Sequence, residues 1–322
     1  MRLLPLPLVL LTLAAATGCA AADLLADLRA EVASVSATAT LSSATLAKGD
    51  GGPLYATHNL QLKSPDAVYE LAYKCFLPPN EARSQQELND WSGGLGMVLP
   101  SDKGWYSNGF LTVTLTDASG GASTADHCAE AKVVRAAGTT VAADYVWQFP
   151  QGQLTARFFL LASRPELFIA LTAQPKSPAA HLEVSLQCYP GGFASPFDRW
   201  VHTAAQNVQA APQGQTQVTL DPAREHWMAL ADHFSGVTAR PMGPCSLAVD
   251  PRGLVSAKVV ITDNYSVRPT LVFAPGQTTA LLALREFPLL PWQDVLKEVA
   301  DTSADALKAA VEALPSLQSS PQ

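Results

Sequence analysis

Apolar and polar residues alternate with a period of two over much of this chain. In SVSATATLS, Val35, Ala37, Ala39 and Leu41 fall on one side and serines and threonines on the other, the pattern of a strand with one wet face. The same alternation sets Tyr69, Leu71, Tyr73 and Cys75 against Glu70 and Lys74, and Leu111, Val113 and Leu115 against threonines. It recurs where Leu182, Val184, Leu186 and Cys188 oppose Glu183, Ser185 and Gln187. Further strands are predicted from Val141, Leu154, Leu167, Thr216, Val255, Arg268 and Thr278, separated by turn-formers such as DASGG, FPQGQ, DPRG and APGQ. Short polar connections without alternating helices predict an all-β chain folded as a large antiparallel β-sandwich, and they exclude a parallel βαβ sheet.

The period changes once. Trp292, Val295, Leu296, Val299, Leu307, Val311 and Leu314 recur at steps of three and four, which predicts one helix or two short ones over 292–314. TSAD, Thr302 to Asp305, reads as a cap opening the second segment. Residues 315–322 read as a disordered tail, and 23–314 as a single sandwich domain with its helical segment.

Composition narrows the class. A hydrophobic content of 48% against 15% charged residues describes a chain that buries a core, so general disorder is excluded. Twenty-one Lys and Arg against 28 Asp and Glu, with no basic stripe, exclude nucleic acid as a partner. Residues 1–22 carry one Arg, a short apolar run and then small residues, the layout of an export signal. ATGC, Ala16 to Cys19, resembles a bacterial lipobox, so Cys19 is the candidate for lipid attachment and the expected address is the cell envelope or the exterior. Such an anchor would be the sole membrane contact. The other cysteines, Cys75, Cys128, Cys188 and Cys245, are even in number, and in an exported chain they could form two disulfides with three pairings open. Their wide spacing disfavours a cysteine zinc cage.

No nucleophile elbow, phosphate loop, dinucleotide fingerprint or HExxH motif is present. Three constellations remain. REHWMALADHF offers Glu225, His226, Asp232 and His233, but in a strand residues seven apart face opposite ways, so the two histidines cannot share a metal. No metal and no cofactor is expected. CYPGGFASPFDRWVHT would place Asp198, Trp200 and His202 on one strand face, with Arg199 pointing away. Carboxylate, aromatic plane and imidazole together suit a sugar, whose C–H face stacks while its hydroxyls hydrogen-bond. The plainer reading of the same stretch is a Trp closing the sandwich end. NDWSGGLGMVLPSDKGWYSNGF sets Trp91, Trp105 and Tyr106 among glycines and polar residues, a second candidate platform.

These features predict a non-catalytic exported β-sandwich that binds a glycan or an envelope protein through its loops. The alternative is a carbohydrate-active enzyme on a mutarotase-like supersandwich, an analogy of fold that no motif here carries. It would draw its acid and base from Asp198, His202, Glu225 and Asp232, two of them meeting in one cleft. A purely structural envelope role is the third reading.

Overall fold

A computed structural model describes residues 36–47, 50–52, 54–77, 95–98, 110–117, 119–124, 128–178, 180–192, 195–234, 243–287 and 291–317. The export signal, Cys19, Trp91, Trp105 and Tyr106 lie outside the described residues.

In chain order the first strands are β1 (Ala37–Ala47), β2 (Leu54–Lys63), β3 (Val68–Leu77), β4 (Leu95–Val98), β5 (Leu111–Thr116) and β6 (Ala122–Thr124). Next come β7 (Cys128–Arg135), β8 (Ala137–Gly138), β9 (Thr140–Phe149), β10 (Gly152–Leu161), β11 (Leu167–Pro175) and β12 (His181–Leu186). Then follow β13 (Arg199–Thr203), β14 (Asn207–Gln209), β15 (Gln215–Leu220) and β16 (Trp227–Asp232). The last are β17 (Cys245–Val249), β18 (Leu254–Thr262), β19 (Ser266–Phe273) and β20 (Thr279–Glu286), before helix α1 (Trp292–Ala313).

The described strands form two antiparallel sheets. The first has the order β15-β18-β19-β12-β5-β4-β3-β2-β1-β8, with β6 paired to β5, and the second β14-β13-β16-β17-β20-β11-β10-β9-β7. One continuous hydrophobic core joins them, drawing Leu60, Leu62, Tyr73 and Val184 from the first sheet and Tyr145, Phe158, Leu230 and Leu282 from the second. Ring packing crosses the gap: Tyr73 meets Trp147 edge to face at 5.8 Å and Tyr145 at 6.5 Å. Tyr73 is fully buried, and its hydroxyl accepts a hydrogen bond from the Cys128 amide at 2.9 Å. The antiparallel sandwich predicted from two-residue alternation is the observed architecture.

The sheets differ in what covers their outer faces. In β5 and β12 buried and half-exposed residues alternate strictly, because the outer face meets solvent. In β16, β17 and β20 burial is almost unbroken, because α1 lies across the outside of the second sheet. Ala306, Leu307 and Ala310 pack on Phe159, Phe168, Leu281 and Ala283, while Val295 and Val299 pack on Ala229 and Phe287. Helix α1 is one uninterrupted element. The TSAD segment does not cap a second helix, since the Thr302 and Ser303 hydroxyls donate to the Glu298 and Val299 carbonyls four residues back, at 2.8 and 2.6 Å. Beyond α1, Leu314–Leu317 forms a 3-10 turn that seats Leu317 against the sheet, and Arg157 donates to the Leu317 carbonyl at 2.7 Å. No helix among the described residues is long and apolar enough to cross a membrane.

Candidate functional site

Two regions beside α1 bring Trp, His, Asp and Arg side chains together. The first lies at the β14–β13–β16 edge of the second sheet. Its start is fixed from the other sheet: the tip of the β18–β19 hairpin puts Asp263 and Asn264 both at φ 50°, a turn conformation that Asx residues tolerate. Asn264 then donates to the Phe197 carbonyl at 2.7 Å and accepts from the Arg199 amide at 2.9 Å. From there β13 alternates. Arg199 and Val201 enter the core, and Trp200 and His202 face outward toward α1.

Arg199 is fully buried, and its guanidinium is satisfied on every side. It donates to Asp232 Oδ2 at 2.9 Å, to the Tyr265 carbonyl at 3.1 Å and to the Gly192 carbonyl. The second Asp232 oxygen accepts from the Phe234 amide at 2.8 Å. Removing one partner would leave the other charge stranded in the core.

On the outer face, His202 Nε2 and His233 Nε2 are 3.2 Å apart. Their ring centroids are 5.4 Å apart with planes 15° from parallel, nearly as far as that hydrogen bond permits, so the imidazoles lie edge to edge. Trp200 stacks on His233 at 4.4 Å and Trp292 stacks on it at 4.0 Å. Two indoles cannot share one plane at such distances without overlapping, so each covers one face of the imidazole pair. The end-to-end nitrogens suit a shared proton better than a metal, which would sit off the line between them. Among the described residues no cluster of His, Cys, Asp or Glu could hold a metal ion.

Proton positions follow from the partners. His202 Nδ1 faces Asn207 Oδ1 at 2.7 Å, which requires the proton on Nδ1 and leaves Nε2 as acceptor. His233 Nε2 therefore donates, and its Nδ1 is bare. That bare nitrogen faces Asp198 Oδ2 at 3.8 Å, a separation suited to two acceptors. Asp198 Oδ1 is engaged elsewhere, by Trp200 Nε1 at 2.9 Å and Gln209 Nε2 at 2.7 Å. Burial, with the neighbouring His202 adding to it, holds His233 down to about 4, and burial also lowers His202. Both rings are neutral at pH 7. Asp198, Trp200 and His202 do share a face, but they spend their stacking surfaces and hydrogen bonds on one another, on His233 and on Trp292.

Asp232 lies on the core side of this edge, paired with Arg199, and Glu225 sits elsewhere. Glu225 is buried at the turn after β15, where Thr203 and Gln206 side chains and the Asp221 amide donate to it. Burial pushes its carboxyl up, and those hydrogen bonds outweigh it and leave the group below its ordinary value. His226 donates to the Pro222 carbonyl at 3.0 Å, well apart in role from His233.

The second region is an open groove farther along α1. It encloses about 610 Å³ between the helix and the loops before β16 and after β17, lined by Trp227, Arg224, His226, Arg252, Lys308 and Glu312. Arg252 grips Asp250 through two side-chain nitrogens and its own amide. Burial raises the Asp250 carboxyl, but these bonds prevail and hold it below the usual range. Asp250 and Arg252 also border a second cavity of about 400 Å³ over β10, β11 and β20, edged by Thr155, Thr172, Gln277 and Thr279. Neither cavity is lined by Asp198, His202, Glu225 or Asp232.

No family model matches the sequence, and no curated protein does. Among solved structures the chain is similar to an α-N-acetylgalactosaminidase from Bifidobacterium bifidum in complex with GalNAc, with 11% identity and a TM-score of 0.41 over 73% of this chain and 35% of that one. It is similar also to a protein provisionally assigned as an aldose 1-epimerase from Klebsiella pneumoniae, with 10% identity and a TM-score of 0.45 over 81% of this chain and 96% of that one. A third is an α-galactosidase from Geobacillus stearothermophilus, with 9% identity and a TM-score of 0.37, covering 77% and 41%. This chain thus spans about a third of the length of the Bifidobacterium enzyme. Neighbours this distant assign no ligand and no residue role here.

Several contributors carried little local signal. His233 and Trp292 complete the ring stack from other elements, and Trp292 reads in sequence only as the first apolar residue of a helix. The groove residues Asp250 and Arg252 belong to DPRG, which reads as a turn and is one. Cys75 lies in β3 with its side chain outside the described residues, while Cys128, Cys188 and Cys245 are buried free thiols.

Proposed function

We propose that the chain is a non-catalytic carbohydrate-binding β-sandwich, exported to the envelope, whose ligand lies in the groove beside α1. The supporting observation is the groove itself: about 610 Å³, lined by the Trp227 indole and by the hydrogen-bonded Asp250–Arg252 pair. That volume falls within the ~300–1,000 Å³ of small-molecule sites. An aromatic surface takes the C–H face of a sugar, and fixed carboxylate and guanidinium groups take its hydroxyls. Arg224, Arg252 and Lys308 stand around the groove with Asp250 and Glu312, a lining of mixed sign that gives a neutral glycan both donors and acceptors. The acid and base candidates Asp198, His202, Glu225 and Asp232 are engaged in internal contacts, which favours recognition over glycoside cleavage.

The test is glycan-array binding by the wild-type chain and by Trp227→Ala and Arg252→Ala. The expected result is a wild-type signal on neutral glycans that falls at least tenfold in Trp227→Ala and several-fold in Arg252→Ala. Absence of wild-type signal, or equal signal from all three proteins, would reject the reading.

A further inference from the structure

The four cysteines after Cys19 leave three pairings open, and the strand order removes the one that joins Cys75 to Cys188 and Cys128 to Cys245. Cys188 follows β12 and bridges to Val267 of β19 in the first sheet. Cys245 opens β17 in the second sheet, opposite Leu230 and Glu286. Both side chains are buried in the core between the sheets, and the segments that carry them meet: the Gly191 amide, three residues after Cys188, donates to the Gly243 carbonyl, two residues before Cys245, at 3.2 Å.

Two of the other combinations are remote. Cys128 lies in β7, five strands from β17 in the order β17-β20-β11-β10-β9-β7, roughly 24 Å at the usual strand spacing. Cys75 lies in β3, three strands from β12 in the order β12-β5-β4-β3, roughly 14 Å away. A disulfide needs Cα atoms within about 7 Å.

In the reduced chain Cys188 Sγ donates to the Val267 carbonyl at 3.5 Å and Cys245 Sγ to the Leu230 carbonyl at 3.6 Å.

We propose that Cys188 and Cys245 form a disulfide that ties the two sheets together when the chain folds in the presence of a low-molecular-weight disulfide. In the first exchange one cysteine thiolate attacks oxidised glutathione, forming a mixed disulfide and releasing one glutathione thiolate. The second cysteine then displaces the remaining glutathione. One S–S bond is broken and one is formed, the protein loses two hydrogens, and oxidised glutathione is reduced to two thiols. Burial raises the Cys245 thiol well above its usual value, so exchange takes place as the sheets close, before that thiol is sealed.

The experiment refolds the full chain in a buffer of reduced and oxidised glutathione. Free thiols are then blocked with iodoacetamide in denaturant, and the digest is read by mass spectrometry. The expected product is a peptide pair joining Cys188 to Cys245, two hydrogens lighter than its separate parts, and Cys128→Ala retains it. The oxidised chain should melt roughly 5–10 °C above the reduced one. Recovery of Cys188 and Cys245 both alkylated, a link from either to Cys75 or Cys128, or loss of the link in Cys128→Ala would overturn the proposal.

Discussion

The ring cluster at the β13–β16 edge and the groove farther along α1 are built from the same residue types on the same sheet face, yet one is closed and the other open. In the cluster, Asp198, Trp200, His202 and His233 are each other's partners, and two indoles cover both faces of the imidazole pair. In the groove, Arg224 and Lys308 stand in solvent and Trp227 is only half-buried. Trp, His and Asp in close sequence can therefore close on one another or border an open volume, and their spacing alone does not distinguish the two.

The largest expected difference between the two regions is in stability. Asp232→Ala leaves the Arg199 charge buried without its partner and should cost about 3–5 kcal/mol. Arg252→Ala removes an exposed cation from the groove rim and should cost less than about 1 kcal/mol. Urea unfolding of both variants checks the contrast, which collapses if the two losses are equal.

Trp292→Ala should come next, at about 2 kcal/mol, by uncovering one face of the imidazole pair and loosening the start of α1. Its sharper readout is the His233 titration followed by NMR, which should move upward toward the ordinary histidine value as water reaches the ring. An unmoved titration would mean that the indole does not shield the pair.

Acid should unsettle the closed region. His233 titrates at about 4 in the folded chain and near 6.5 when unfolded, so between those values the unfolded state binds more protons. Its stabilising contribution is complete above about pH 6.5, declines as the pH falls, and is fully lost at about pH 4. The loss is on the order of 2 kcal/mol after allowance for partial exposure. His233→Gln should flatten this part of the stability profile, and an unchanged slope would remove His233 as its source.

The smallest stability effect should accompany a clear binding effect. Lys308→Ala should leave stability within about 0.5 kcal/mol while weakening glycan binding several-fold. Isothermal titration with a ligand found on the array measures the second quantity, and unchanged affinity would place Lys308 outside the binding surface.

Local periodicity made the strands legible wherever one sheet face meets water, as Leu182, Val184 and Leu186 show. It blurred in β16, β17 and β20, because α1 buries the face that would otherwise have been polar. The shared face of Asp198, Trp200 and His202 followed from a period of two. Its closure did not, since His233 arrives from 31 residues away and Trp292 from the helix. TSAD misled because Thr and Ser hydroxyls satisfy either an open helix end or a carbonyl four residues back, and tertiary packing chose the second. The groove left no pattern, because it is assembled from a turn, a strand start and one helix flank.

The apolar surface under α1 bears Phe159, Phe168, Leu281 and Phe287, and among the described residues it is α1 that lies across it. During synthesis that surface stays bare until residues 292–313 exist, so the nascent chain carries a sticky wall that invites chaperones or neighbouring copies. Shortening the polypeptide ahead of Trp292 should accordingly yield insoluble aggregates instead of a trimmed sandwich.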